Sequence, residues 1–355
     1  MIPFFITQLF AILISLIGIS LIIVFHEFGH YIFCKLFNVH TPTFSIGIGK
    51  KLFSKKIGDT DFCISAGPIG GYVEVASENG INGSLGFNQI PYYQKVLIML
   101  GGIAFNFVLS YVFFVGLFWT GMPENATGPY EPCTTTISTV SPNSKNTHIL
   151  QENDILISLN NQSLNNDLTI ARKIILEQAN KTKEINAEIL RNNENITTSL
   201  HLTGESAPLT IFKQLDISFQ QKPALNLYQS IIYAFKATIF YTQAIIKGLQ
   251  NMIQARTTKD FAGPLMAVTA SSKSAIKGFS YLIFFLAIIS INLGFMNLLP
   301  LPIFDGGQFV IFSIETLIQK QLSETIRNII GMSSWILSIG LLIIFTIRDL
   351  YNLIF

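Results

Sequence analysis

The sequence predicts a polytopic α-helical membrane protein with four transmembrane helices, a membrane-associated β-loop and one inserted α+β domain. Three observations carry that reading. Half of the 355 residues are hydrophobic and 12% are charged, a balance outside the range of soluble globular chains. Apolar runs lie at 4–33, 96–118, 278–300 and 333–354, each at least as long as the roughly 20 residues a helix needs to cross a bilayer. Between the second and third runs the chain turns polar and Asn-rich, and its apolar residues alternate as strands do.

The first run, 4–33, is filled from Leu9 to Phe25 with only Ser15, Gly18 and Ser20 interrupting. It has neither a basic leader nor a small-residue cleavage site, so it is expected to stay as an anchor. Lys35, Lys50, Lys51, Lys55 and Lys56 follow it, while no Lys or Arg precedes it. The positive-inside rule then puts the N-terminus outside and the next loop in the cytoplasm. Residues 34–95 are too polar to span. Alternation at Phe44–Gly49 and Tyr72–Val75, around the turn-prone Lys55–Asp61, predicts short strands, with Ala66–Gly71 as a tight loop. A plain hairpin and an edge strand that captures an extended peptide both fit these residues.

In the second run, 96–118, Gly101 and Gly102 allow close helix packing, and Asn106 is expected to face protein rather than lipid. Residues 130–222 form the inserted domain, with strands at Thr136–Val140, Asp154–Leu159, Glu184–Leu190 and Ile196–Leu202 and a helix at Asp167–Ala179. That content suits a small peptide-binding module on the outer side. Residues 226–260 have helical periodicity, but Lys236 and Lys247 interrupt them, which suits a helix lying in the interface. Gly263-Pro264 opens a further helical stretch. The third run ends at Asn297-Leu298-Leu299-Pro300-Leu301-Pro302-Ile303-Phe304-Asp305, where two prolines end the helix and leave irregular backbone, tolerated at membrane depth only inside protein or beside water.

Candidate chemistry sits at both ends. His26 and His30 are four residues apart on one helix, about 40° from each other around it, so both imidazoles can reach one metal ion. Glu27 beside them is placed as the base that takes a proton from the attacking water. A charged group in a membrane helix costs about 2.5–3.5 kcal/mol on insertion scales, so such groups mark a functional site. The third run must return toward the cytoplasm, which brings Asp305 to the depth of the two histidines as an oxygen ligand. A formal charge of +2 gives no sign of a nucleic-acid partner, and Cys34, Cys63 and Cys133 form neither a CxxC pair nor a disulfide framework. Cys34, one turn after His30, reads as a buried apolar cysteine rather than a ligand.

These motifs together, His26-Glu27-Phe28-Gly29-His30, Phe44–Gly49, Gly70-Gly71-Tyr72-Val73, Gly101–Asn106, Gly263-Pro264 and Asn297–Gly307, resemble the site-2-protease-type intramembrane zinc metalloproteases. The resemblance is to their bacterial, PDZ-containing branch, like the regulator-of-sigma-E protease. It implies Zn2+ held by His26, His30 and Asp305, with Glu27 as catalytic base. It also implies Asn106, Asn297, Gly70, Gly71 and Tyr72 around an unwound substrate, and a PDZ-like outer domain with a peptide ligand. The substrates implied are pre-cleaved membrane proteins, such as anti-sigma factors and remnant signal peptides, in the bacterial inner membrane. Asn153-Asp154 stands where such domains usually carry Gly-Asp. Two other classes compete: a metal-binding membrane scaffold without protease activity, and an HExxH protease with a downstream Glu ligand, for which no Glu-bearing motif offers itself.

Overall fold

The computed structural model describes residues 2–77, 83–124, 126, 128–179, 182–203, 214–255, 263–320 and 322–354. It divides into two compact units, residues 1–117 with 234–355, and residues 118–233. In chain order the elements are α1 (Ile2–Leu36), β1 (Thr43–Ile57), β2 (Thr60–Val73), α2 (Tyr92–Thr120), β3 (Cys133–Val140), β4 (Ile155–Leu159), β5 (Gln162–Ser163) and α3 (Leu168–Ala179). They continue with β6 (Glu184–Arg191), β7 (Glu194–His201), β8 (Ile217–Gln221), α4 (Leu227–Ala255), α5 (Pro264–Lys277), α6 (Phe279–Asn297), α7 (Asp305–Leu317) and α8 (Glu324–Ile354). Four segments, Ile6–Leu36, Tyr92–Thr120, Phe279–Asn297 and Thr325–Tyr351, are long and apolar enough to cross a membrane. α4 is not among them. The end of the amphipathic stretch expected at 226–260, residues 256–260, lies outside the described residues.

The last helix begins well before the apolar run expected at 333–354. Its polar first turns are held by α7, where Glu315 accepts from Arg327 Nη2 at 2.6 Å and from the Leu322 N–H at 2.9 Å. Farther along α8, Met332, Trp335 and Ile336 stand more than three-fifths exposed. A face of that kind needs hydrocarbon or another apolar surface against it. At the far end of α8 the buried Asp349 carboxylate accepts the N–H groups of Gly263 and Met266, at 3.2 and 3.0 Å, and so satisfies the first turn of α5.

α1 is the axis of the first unit. Its Ile22 packs with Leu109 of α2 and with Leu282 and Leu286 of α6. Nearer the site, α1 and α2 meet backbone to backbone: a methyl group on Gly101 would lie 2.8 Å from the Gly29 carbonyl. Small residues are what permit such an approach between membrane helices.

The β-loop departs from expectation in two respects. Its strands are long, 15 and 14 residues, where short ones were expected. Ala66–Gly71 is not a tight loop but part of β2, which runs unbroken from Thr60 to Val73. Phe44 of β1 pairs with Phe62 and also with Val73, so the two long strands bend into a sheet in which Thr43–Ile46 are central and Gly71–Val73 lie along one edge. Gly47 and Gly70 take φ of +86° and +90° at the bends. Glycine adopts such angles without the steric penalty other residues meet, and a period-two pattern carries no sign of where a strand will fold back. An aromatic cluster of Phe28 and Tyr31 from α1 with Phe44 and Phe62 holds the sheet on the helix, with ring centroids 5.5–6.3 Å apart.

The second unit is an α+β domain with strand order β7-β6-β4-β3-β8, and β5 against β4. Alternate residues Ile185, Ala187 and Ile189 of β6 are buried together with Leu168, Ala171 and Ile175 of α3, the period of two meeting the helical period across one core. Asn153 occupies φ +70°, where Asn is among the few side chains tolerated, and so fills the place of the usual glycine. Asp154 after it is 1% exposed and makes a two-pronged pair with Arg191 at 2.6 and 2.8 Å. Burial pushes the Cys133 thiol up to about 12, which leaves it an unreactive packing residue.

Candidate active site

α1 supplies His26, Glu27 and His30 from one helical face, and the turn after α6 returns the chain to them. That turn depends on small residues. Leu301 and Phe304 close it with backbone bonds to Leu299 and Leu301. Methyl groups on Gly306 or Gly307 would strike the Leu298 or Leu301 carbonyls. α7 starts at once with Asp305, so the carboxylate stands at a helix N-terminus, where the dipole favours it.

His26 Nε2 and His30 Nε2 are 3.2 Å apart, and Asp305 Oδ2 is 3.2 and 3.3 Å from them. Oδ2 is buried and has no hydrogen bond of acceptable geometry. Three lone-pair-bearing atoms thus converge with nothing between them to reconcile them. Four ligands placed tetrahedrally at roughly 2.0–2.1 Å from zinc are about 3.3 Å from one another. The three separations match that figure, and two imidazoles with a carboxylate are a donor set that zinc accepts while leaving a fourth position open. The residues present therefore fit the metal.

The second ring nitrogens are held from behind. His30 Nδ1–H donates to the Ile98 carbonyl at 2.8 Å, which leaves Nε2 as the free lone pair. The Asn106 carboxamide faces His26 Nδ1 at 3.1 Å. With its oxygen turned to the ring it accepts Nδ1–H, frees Nε2 in the same way, and pairs a buried Oδ1 that otherwise has no partner. Ser290 fixes that residue by donating to the Asn106 carbonyl at 2.7 Å. Asn297, at the end of α6, places its amide nitrogen 3.3 Å from His26 Nε2.

A cavity of about 420 Å³ opens on this cluster, lined by Glu27, Val73, Val75, Ile98, Asn297 and Asp305 among others. Of the expected site residues, His26, Glu27, His30, Asn297 and Asp305 line it, and Asn106 lies behind His26. Gly70, Gly71 and Tyr72 precede Val73 on the same strand; the wall itself is made by Val73 and Val75. Cys34, fully buried, packs with Val39, Ile90 and Ile98. The chain belongs to peptidase family M50. The model for that family matches residues 14–341, nearly the whole span from α1 to α8. Relatives named "Putative zinc metalloprotease" align with almost the full length. One from Clostridium perfringens is 28% identical over 96% of this chain and 98% of its own. One from Clostridium acetobutylicum is 29% identical over 96% and 97%. One from Campylobacter jejuni is 26% identical over 96% and 94%. Membership in this site-2 protease family makes the chain a zinc metalloprotease.

Gly102 lies against both imidazoles of the candidate site, although sequence reasoning left it among the packing glycines. A methyl group there would strike His30 Nε2 and lie 2.7 Å from His26 Cε1. Its only signal in the sequence is a second glycine after Gly101, which helix packing alone explains. Gly102→Ala is expected to displace the imidazole pair and lower turnover by about 10- to 100-fold, as loss of ligand support does, with zinc bound below one per chain by elemental analysis. Wild-type zinc content and turnover in that variant would show that the rings have room to move.

Proposed function

We propose that the protein hydrolyses peptide bonds within or near transmembrane segments of membrane proteins already cut elsewhere, with His26, His30 and Asp305 holding zinc and Glu27 as the base. One observation carries the reading: His26, His30 and Glu27, on a helix long and apolar enough to span a membrane, meet the Asp305 carboxylate from the start of α7 beside one cavity. The metal, when bound, supplies a Lewis acid that polarises the scissile carbonyl and acidifies water. Glu27 takes the proton of the attacking water and later delivers it to the leaving amine. Asn106 and Ile98 hold the imidazoles in the required tautomer, and Asn297 stands where a substrate carbonyl would lie. Ile23, Ile98 and Leu293 give the cavity apolar walls. A bond inside a helix is shielded by its own hydrogen bonds, so the substrate has to be extended locally. The β-loop, with its Gly70-Gly71-Tyr72 segment, is suited to hold it as an added strand.

The loop's exposed Ile46, Ile48, Leu52 and Phe53, with Lys50 and Lys51 beside them, suit a loop dipping into the bilayer from the cytoplasmic side. By the same charge rule the 118–233 unit lies outside, as a PDZ-like module that reads or admits trimmed ends of anti-sigma factors or remnant signal peptides in a bacterial inner membrane. A scaffold that merely held metal would need neither Glu27 nor an open fourth position. The deciding experiment reconstitutes the purified chain in vesicles with a single-span substrate trimmed on its outer side and maps the cut by mass spectrometry. A cut inside or at the edge of the apolar segment, abolished by a chelator and restored by zinc, is the expected result. Cleavage confined to soluble tails would overturn the intramembrane reading.

A further inference from the structure

Glu27 has a partner that the chemistry above does not use. Among the described residues, the one hydrogen bond to its carboxylate is from the Val73 backbone N–H, 3.1 Å from Oε2. That amide belongs to the open edge of the β-loop. The next amide, of Glu74, turns the other way and donates to the Thr43 carbonyl of β1 at 2.8 Å. Alternate amides of a strand point to opposite sides, so the Val73 N–H faces away from the sheet, and Glu27 is what it meets there.

The contact is one rung of a strand lying on a helix. Gly71 is two residues before Val73 and Val24 three before Glu27, so each pair shares a side of its own element. A methyl group on Gly71 would be 3.2 Å from Val24 Cγ2 and 2.8 Å from the Ser45 carbonyl. Glycine at 71 therefore lets the edge settle between β1 and α1, and that depth brings the Val73 N–H within bonding distance of Glu27. The aromatic cluster of Phe28, Tyr31, Phe44 and Phe62 on the adjoining turns of α1 fixes the same spacing from the other side.

We propose that the Val73 backbone N–H is a positioning group for the catalytic carboxylate, binding Glu27 Oε2 so that Oε1 is held toward the metal-side cavity, with Gly71 setting the distance. The inference rests on the reading of Glu27 as base. It assigns the Gly-Gly-Tyr-Val segment a part in orienting the base, beside any part in binding substrate. A free glutamate side chain has three rotatable bonds, and a base must stay within hydrogen-bond reach of the proton it takes. One backbone donor on a rigid strand selects among those rotamers.

Val73→Pro tests this, because proline removes the N–H, and an edge position whose N–H leaves the ladder is where a strand accepts proline. Val73→Ala keeps the N–H and serves as the reference for the side chain. Turnover of the trimmed substrate is expected to fall 10- to 100-fold from Val73→Ala to Val73→Pro, the range for losing a residue that orients a catalytic group, with KM within twofold and zinc content unchanged. Gly71→Ala should lower kcat in the same manner, and serves as the main variant should Val73→Pro lose zinc. Binding separates positioning from substrate pairing: in the inactive Glu27→Gln background, adding Val73→Pro should leave the Kd for uncut substrate unchanged. A weakened Kd there would assign the N–H to the substrate strand and overturn the proposal. So would equal kcat in the proline and alanine variants while Glu27→Gln is inactive. Wild-type turnover in Glu27→Gln alone would instead remove the base reading on which the inference stands.

Discussion

Glu27→Gln is expected to lower turnover by about 10²- to 10⁴-fold, the span that general acid–base catalysis contributes, while zinc stays bound at the wild-type ratio. The side chain keeps its size, and its amide oxygen can still accept the Val73 N–H. What it loses is the ability to take and return a proton. The ligand atoms of His26, His30 and Asp305 lie within 4.8 Å of one another and do not include Glu27, so the metal should not notice the change. Cleavage rate and elemental analysis on the same detergent-purified sample decide the matter. Loss of zinc together with activity would mean that Glu27 holds the site together instead of serving it as base.

Asp305→Ala is expected to leave the purified chain with much less than one zinc and with no measurable cleavage. Oδ2 is the third corner of a triangle whose other corners are the two imidazole nitrogens, and two neutral ligands alone give zinc neither charge compensation nor a closed geometry. The substitution should cost the fold little. Asp305 opens α7, where a carboxylate contributes roughly 0.3–1 kcal/mol through the helix dipole, and the turn before it is closed by backbone bonds and by Gln308 donating to the Pro302 carbonyl at 2.6 Å. Unchanged limited proteolysis with lost zinc is the expected pair of results. Full zinc occupancy in the variant would exclude Asp305 as a ligand.

Much of the site was legible because its parts carry their own chemistry. Two histidines four apart with a glutamate between them have few other uses in an apolar run, and Pro300 and Pro302 before Asp305 leave irregular backbone of a kind tolerated at membrane depth only inside protein or beside water. Asn106 stood out as an amide at membrane depth. Gly102, Val73 and Val75 gave no such signal. A glycine in a helix reads as packing whether the neighbour is a lipid-facing leucine or an imidazole of the candidate site, and a strand valine reads as core. What Val73 contributes is its backbone N–H, which every residue but proline possesses.

The sequence by itself determined the number of apolar helices able to span a membrane, the insertion of a separate α+β unit, and the set of residues that can bind metal, since hydropathy, period and side-chain chemistry are local properties. Only the tertiary structure decided that β2 continues through Ala66–Gly71 and folds back beside β1, that the Gly29–Gly101 contact brings α2 against the histidines, and which amide meets Glu27. These depend on how close two distant backbones come, and that distance is set by packing between elements far apart in the chain.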